Sequence, residues 1–382
     1  MLGGAVAVIL TGQISPIDAL GAINRDVMVF LAGMFIVGEA LVESGYLSSI
    51  SCRFFSHART PDQVIIFILL GMGFLSALLM NDTLAIIGTP LVLGLAAKFR
   101  ISPKLVLLSL AIAITTGSVM SPIGNPQNLL VAVNSGMQTP FVTFGVFLLV
   151  PTLISLGMAF LVLRFFFKAE FSGRSIAHGT APGCDPVKTL PVKSSLAILL
   201  LLAGINIAGS LAGGALIIPL PCIALCAAVP VLVFSSQRVD LIRNIDWCTL
   251  IFFAAMFVLM ESVWQTGFFQ SFVSGPGLTS VPAILATSVI ISQFISNVPF
   301  VALFQPMILQ AGGTTSLMMA LAAGSTIAGN LTILGAASTV IIIQNAEKQG
   351  ETLTFFEFAR IGIPLTLLQI VVYWVWLILL PF

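Results

Sequence analysis

Apolar runs near the length of a membrane span, several of them cut in two by a polar break, constrain this chain more than any other feature. They lie near 1–12, 26–45, 62–80, 83–97, 104–117, 129–134, 141–165, 194–210, 214–234, 247–264, 281–295, 299–311, 315–328, 340–346 and 357–381. A helix needs roughly 20 apolar residues to cross a bilayer, so the long runs read as spans. The short ones come in pairs around a break: 62–80 with 83–97, 104–117 with 129–134, 281–295 with 299–311, and 315–328 with 340–346. Each pair is a re-entrant hairpin or a broken helix. The run 83–97 would cover only about 22 Å, short of a core of roughly 30 Å, which favours re-entrance for 62–97. Charge agrees with burial in lipid. Only 8% of the 382 residues are charged, against about 25% in a soluble chain. Mean hydropathy is +1.13. The chain is therefore an all-α polytopic protein of the cell's plasma membrane. A net charge of +1 offers no basic stripe to nucleic acid. Residues 1–12 precede the first basic residue, Arg25, lack the charged start of a secretory signal and read as a membrane helix. Five cysteines show no metal-ligand spacing, and no cofactor motif is present.

The chain repeats itself. Met34-Phe35, Glu39 and Gly45 recur as Met256-Phe257, Glu261 and Gly267; Asn81 recurs as Asn297 and Gly124 as Gly335. Preserved order with shrinking offsets is the mark of a duplicated unit. It divides the chain into an N-terminal repeat at 1–167, a linker at 168–193 rich in Gly, Pro and charge, and a C-terminal repeat at 194–382. The run at 194–210 has no partner in the first half, so by the repeat a helix is missing ahead of Met1. If both hairpins return to the side they left, one orientation puts 14 of the 15 basic residues in the cytoplasm, the linker included, and leaves only Arg25 outside. Phe382 is then outside, and the two repeats are inverted relative to each other.

Inverted repeats with paired broken helices are the signature of a secondary transporter, whose substrate and coupling ion sit near mid-membrane between half-helix ends. Four breaks carry the polar residues: Asn81-Asp82-Thr83, Ser118 to Asn128 (SVMSPIGNPQN), Ser296-Asn297-Val298-Pro299, and Gly329 to Thr339 (GNLTILGAAST). Pro122 and Pro126 cannot donate to a helix ladder. Freed carbonyls suit a hard cation such as sodium, and freed N–H groups with Asn, Ser and Thr side chains suit an oxyanion. No break carries Lys or Arg. An anion would be held by dipoles and a co-bound cation.

The Gly-Asn-Pro-Gln-Asn at 124–128, the Ser-Asn-Val-Pro at 296–299 and the Gly-Asn-Leu-Thr with its following Gly at 329–335 resemble the ion transporter superfamily, in its arsenite permease and anion permease (citrate transporter-like) branch. The resemblance covers nearly the whole chain. It implies two inverted halves, each with a re-entrant helical hairpin and a broken transmembrane helix, working by alternating access and often as a homodimer. Carried over, Asn81, Asp82 and Thr83 form the first hairpin tip, and Ser296 and Asn297 the second. Gly124, Asn125, Asn128, Asn330, Thr332 and Ser338 lie in the facing broken helices, and Ser118 and Thr339 bound the same breaks, Thr339 standing where arsenite permeases tend to have Asn. The implied cargo is a small inorganic anion or metalloid oxyacid such as arsenite, coupled to H+ or Na+. The tips differ from the Ser-Asn-Thr of the dicarboxylate branch, and Asn-Asp-Thr also resembles a sodium/proton antiporter branch. A Na+/H+ antiporter and a Na+-coupled di- or tricarboxylate carrier are thus the alternatives.

Asp82 is the only acid at a break, and intramembrane acids are expensive and therefore functional by default. Glu39 and Glu261 are repeat-related and mid-helix, serving interhelix hydrogen bonds or a proton path. Cys222 and Cys226, spaced i, i+4, read as small packing residues. A membrane-embedded enzyme would need a nucleophile with a base at depth; no span contains His, and there is no His-Glu-x-x-His pair. A channel is disfavoured by the two occluding hairpins.

Overall fold

The computed structural model describes residues 1–47, 49–50, 58, 60–171, 186–213, 217–273 and 280–380. Most of the linker, with His178, and the loop around His57 lie outside them. The described residues fold into helices joined by short loops, with no strand among them. In chain order the helices are α1 (Leu2–Leu10), α2 (Pro16–Ala22), α3 (Arg25–Ser44), α4 (Pro61–Ser76), α5 (Asn81–Phe99), α6 (Pro103–Ser118), α7 (Pro126–Asn134), α8 (Pro140–Phe166) and α9 (Pro186–Leu211). There follow α10 (Leu220–Phe234), α11 (Arg238–Asn244), α12 (Trp247–Gln265), α13 (Phe268–Val273), α14 (Val281–Ile295), α15 (Asn297–Gln310), α16 (Thr315–Ile327), α17 (Ala337–Glu347) and α18 (Phe355–Leu379). Among the described residues, six are long and apolar enough to span a bilayer: α3, α5, α8, α9, α12 and α18.

Two lengths differ from the sequence reading. The run 83–97 is the middle of a 19-residue helix that begins at Asn81 and ends at Phe99, about 28 Å long. Asn81 and Asp82 are helical rather than part of an open tip, so the argument from shortness does not hold for this arm. Conversely, the run at 1–12 yields only the nine residues of α1, about 14 Å, which cannot cross alone. It lies against α12 instead.

The centre is built from α6 and α16. Every residue from Leu105 to Ser118 is buried, and so is every residue from Leu317 to Ile327. A helix apolar all round belongs inside, and these two have no face to give to lipid. Around them the packing is reciprocal. Helices α4 and α5 lie on α6, while α14 and α15 lie on α16. In turn α5 lies on α17, and α15 on α7. Both second arms carry an internal proline, Pro90 in α5 and Pro306 in α15. The repeated glycines Gly45 and Gly267 both end a helix in the left-handed region, at φ +62° and +69°, which explains why the repeat preserves them. Cys222 and Cys226 are free and exposed on α10, so they do not serve as core packing.

Candidate functional site

The first break is organised by two asparagines. Helix α6 ends at Ser118, and α7 starts at Pro126, where a missing N–H costs nothing. Asn125 caps α7: its Oδ1 accepts from the Asn128 N–H at 2.8 Å. The Asn128 Nδ2 reaches the carbonyls of Ser118 at 3.0 Å, Val119 at 3.3 Å and Ser121 at 3.0 Å. These carbonyls lie at and just past the end of α6, where no helical N–H follows, and only that of Ser118 has a backbone partner, the Ser121 N–H at 3.3 Å. The sequence thus closes its own break, one asparagine starting the second leg and the other finishing the first.

The same pair ties the two halves together. Asn125 Nδ2 donates to Ser118 Oγ at 2.9 Å and to Thr326 Oγ1 of α16 at 3.3 Å. Thr326 Oγ1 donates to Asn128 Oδ1 at 3.1 Å, and Gln127 Nε2 donates to Thr326 Oγ1 at 3.4 Å. Asn81, the first residue of α5, meets Ser118 Oγ at 3.2 Å; with its oxygen on that hydroxyl, its Nδ2 donates to the carbonyls of Ile114 and Gly124, both at 3.2 Å. Gly124 is required by close approach, since a Cβ there would lie 2.7 Å from the Ser76 carbonyl oxygen at the end of α4.

The second break is held differently. After α16 the chain makes 3-10 turns at Ala328–Asn330 and Ile333–Gly335 before α17. Asn330 is fully buried; its Nδ2 donates to Thr116 Oγ1 at 2.9 Å and to Gln369 Oε1 at 3.0 Å. Gln369 Nε2 also donates to Thr116 Oγ1, at 3.0 Å. The end of α16 is capped from outside the break: Gln293 of α14 donates Nε2 to the Ala328 carbonyl at 2.8 Å and accepts the Thr332 hydroxyl at 2.7 Å. Gly335 sits beneath, where a Cβ would lie 2.4 Å from the Ala328 oxygen. Ser338 and Thr339 are buried at the start of α17.

Of the hairpin residues, Thr83 is buried against α3, so close that a Cβ on Gly38 would lie 2.5 Å from its Oγ1. Glu39 follows Gly38 and is half-buried. Asp82 is half-buried and makes no hydrogen bond or ion pair with any described residue. Ser296 has φ +68°, a strained value for a residue with a side chain, and it turns the chain directly from α14 into α15. Asn297, first in α15, is buried with its Oδ1 unpaired among the described residues. Thr115 Oγ1, Asn330 Oδ1 and Thr339 Oγ1 share that condition. These oxygens are the hard, uncharged donors that a sodium-sized ion prefers. Among the described residues, no group of three or more His, Cys, Asp or Glu could hold a metal ion.

Of the residues expected from sequence, the fold brings Asn81, Ser118, Gly124, Asn125, Asn128 and Asn330 into hydrogen-bonded or close contact at the two breaks. The same contacts include Thr116, Gln127, Gln293, Thr326 and Gln369, which the sequence reading did not put forward as site residues. Thr326 had a signal: it lies 211 residues after Thr115, the spacing that relates Gly335 to Gly124. Gln293 and Gln369 had none, because each acts from a different helix.

Comparisons with known proteins agree with this architecture. The chain is 27% identical to an uncharacterised transporter of Mycobacterium tuberculosis, over 97% of this chain and 90% of the relative. It is 24% identical to the silicon efflux transporter LSI3 of Oryza sativa subsp. japonica, over 95% and 88%. The Alcanivorax borkumensis YdaH transporter superposes with a TM-score of 0.61 at 16% identity, covering 97% of this chain and 87% of that one. The Neisseria gonorrhoeae MtrF structure superposes at 0.51 and 14%, covering 97% and 83%. Both structures speak to the fold alone. The sequence profile described as "Citrate transporter" matches residues 1–316. With two broken helices crossed by two hairpins in a multi-pass membrane protein, and relatives that are transporters rather than enzymes, the chain belongs to the citrate transporter (CitMHS) family.

Proposed function

We propose that this transporter is a secondary active carrier for a small inorganic anion or a metalloid oxyacid of the arsenite kind, coupled to H+ or Na+ and working by alternating access. The observation that carries this reading is the chemistry of the two breaks. They present amide and hydroxyl groups, unpaired oxygens and one unpaired carboxylate, Asp82, with no Lys or Arg. Such a site suits an uncharged or weakly charged hydroxylated solute together with a cation. A multiply charged carboxylate would face Asp82 with no basic side chain to balance it. That the relative LSI3 is named for silicon efflux supports a hydroxylated oxyacid as the solute class. The reciprocal packing of α5 on α17 and α15 on α7 supports two inverted repeats sharing the site.

The test is uptake by proteoliposomes of arsenite, silicic acid, sulfate and citrate, each with an imposed pH or sodium gradient. Gradient-dependent uptake of an oxyacid is expected. Sodium-driven citrate uptake without oxyacid uptake would establish the carboxylate alternative. Sodium/proton exchange with no solute moved would establish the antiporter that the Asn-Asp-Thr sequence resembles.

A further inference from the structure

A cavity of about 300 Å³ opens between α7, α12 and α15, beside Asn24 at the start of α3. Its floor is defined by Ala302 on α15 and Leu130 on α7. Each lies five residues beyond the asparagine that begins its helix, Asn297 or Asn125, or about 8 Å along the axis. The cavity therefore ends about a turn and a half from both breaks. Its mouth is marked by Gln310 and Asn134. Asn134 accepts a hydrogen bond from Asn24 at 2.8 Å, which ties α7 to α3 at that rim. One charged side chain lines it, Glu261 of α12, whose Oε1 accepts from Gln265 at 3.0 Å. Arg25 follows Asn24 in sequence but is not part of the lining, and Asp26 follows it in turn.

We infer that this cavity is the approach to the breaks from the face opposite the linker, and that Glu261 makes it favour cations and uncharged or weakly charged solutes over multiply charged anions. The inference rests on the reading of the breaks as the transport site. A single carboxylate on the wall of a low-dielectric cleft concentrates positive ions and holds off negative ones. The coupling cation and an uncharged oxyacid pass it, whereas a dianion is repelled before reaching Asn125. This assigns Glu261 a role that its repeat partner Glu39 does not share, because Glu39 lines no part of the cavity.

The test needs no knowledge of the substrate. In full-length protein with its five cysteines replaced by serine, Ala302→Cys and, separately, Gln310→Cys are introduced and reconstituted. Each is labelled from either face with cationic MTSET or anionic MTSES. MTSET should react roughly ten-fold faster than MTSES, relative to their rates with a free thiol, and only from the face opposite the linker. Raising the salt should shrink the ratio, and Glu261→Gln should bring it to unity. Equal rates with Glu261 intact, or labelling only from the linker face, overturns the inference. Gln310→Cys keeps the test open if Ala302→Cys does not fold. Labelling fails or succeeds independently of the proteoliposome uptake that tests the carrier itself.

Discussion

A Cβ on Gly117 would lie 2.2 Å from the carbonyl oxygen of Gly73, so α6 and α4 meet backbone to backbone one residue before α6 breaks. The neighbouring atoms are main chain on both sides and cannot step aside as a side chain would. Gly117→Ala should therefore act as an overpacking change at the tightest point of the first hairpin. A loss of ~1–3 kcal/mol is the ordinary range for such insertions, and rigid backbone puts this one at its upper end. The check is the thermal midpoint of detergent-purified protein. A Gly117→Ala variant as stable as wild type would show that the two helices do not meet this closely. Gly145, whose added Cβ would meet nothing within 4 Å, is the matched control and should be near neutral.

Asn128→Ala should disrupt the first break more than any other single side-chain deletion there. It strips a partner from the carbonyls of Ser118, Val119 and Ser121 and from the Thr326 hydroxyl. The Ser118 carbonyl keeps the Ser121 N–H and Thr326 keeps Asn125 and Gln127, so the cost falls on the Val119 and Ser121 carbonyls, at ~1–3 kcal/mol for each buried polar group left alone. Thr326→Val removes only the link between the halves, so it should cost less. Stability of the two variants and of their combination gives the coupling directly. Additive effects would mean that Asn128 and Thr326 do not act on each other.

Asp82→Asn should fold and still bind the solute, yet lose gradient-driven accumulation. The carboxylate has no partner among the described residues, so an isosteric amide breaks no contact. The two measurements are solute binding to purified protein and uptake under a pH or sodium gradient. Undiminished driven uptake would remove Asp82 from the coupling step and turn attention to Glu39 and Glu261.

Orientation is tested by fusion. A periplasm-active alkaline phosphatase joined after Leu380 should be active, and a green fluorescent protein at the same place should be dark. The reverse result would invert the placement derived from the 15 basic residues.

Membrane class, the breaks and the asparagines at their edges were legible because each leaves a local mark. Lipid demands apolar runs, and Pro122, Pro126 and the repeated glycines interrupt them. What escaped was set by partners distant in sequence. The full length of α5 could not be read, since Asn81 and Asp82 look like loop residues until Ser118 and the carbonyl of Gly124 engage Asn81. Gln293 and Gln369 are single polar residues in apolar helices, and nothing near them in sequence says that they reach Ala328, Thr332 and Thr116. The cavity at Glu261 is likewise a product of three helices that no periodicity relates.

The two breaks close in different ways, and that difference bears on movement. The first satisfies its helix ends largely from within, through Asn125 and Asn128. The second borrows Gln293 from the neighbouring hairpin arm. Any swing of α14 away from α16 must break the Gln293 bonds to the Ala328 carbonyl, which keeps only the Leu331 N–H, and to the Thr332 hydroxyl. Each hairpin is thus tied to the break it covers, the one with Ser296 through Gln293 and the one with Asp82 through Asn81, which meets Ser118 and the carbonyls of Ile114 and Gly124. In the carrier proposed above, opening either hairpin would give up hydrogen bonds to the break beneath it, through Gln293 on one side and Asn81 on the other.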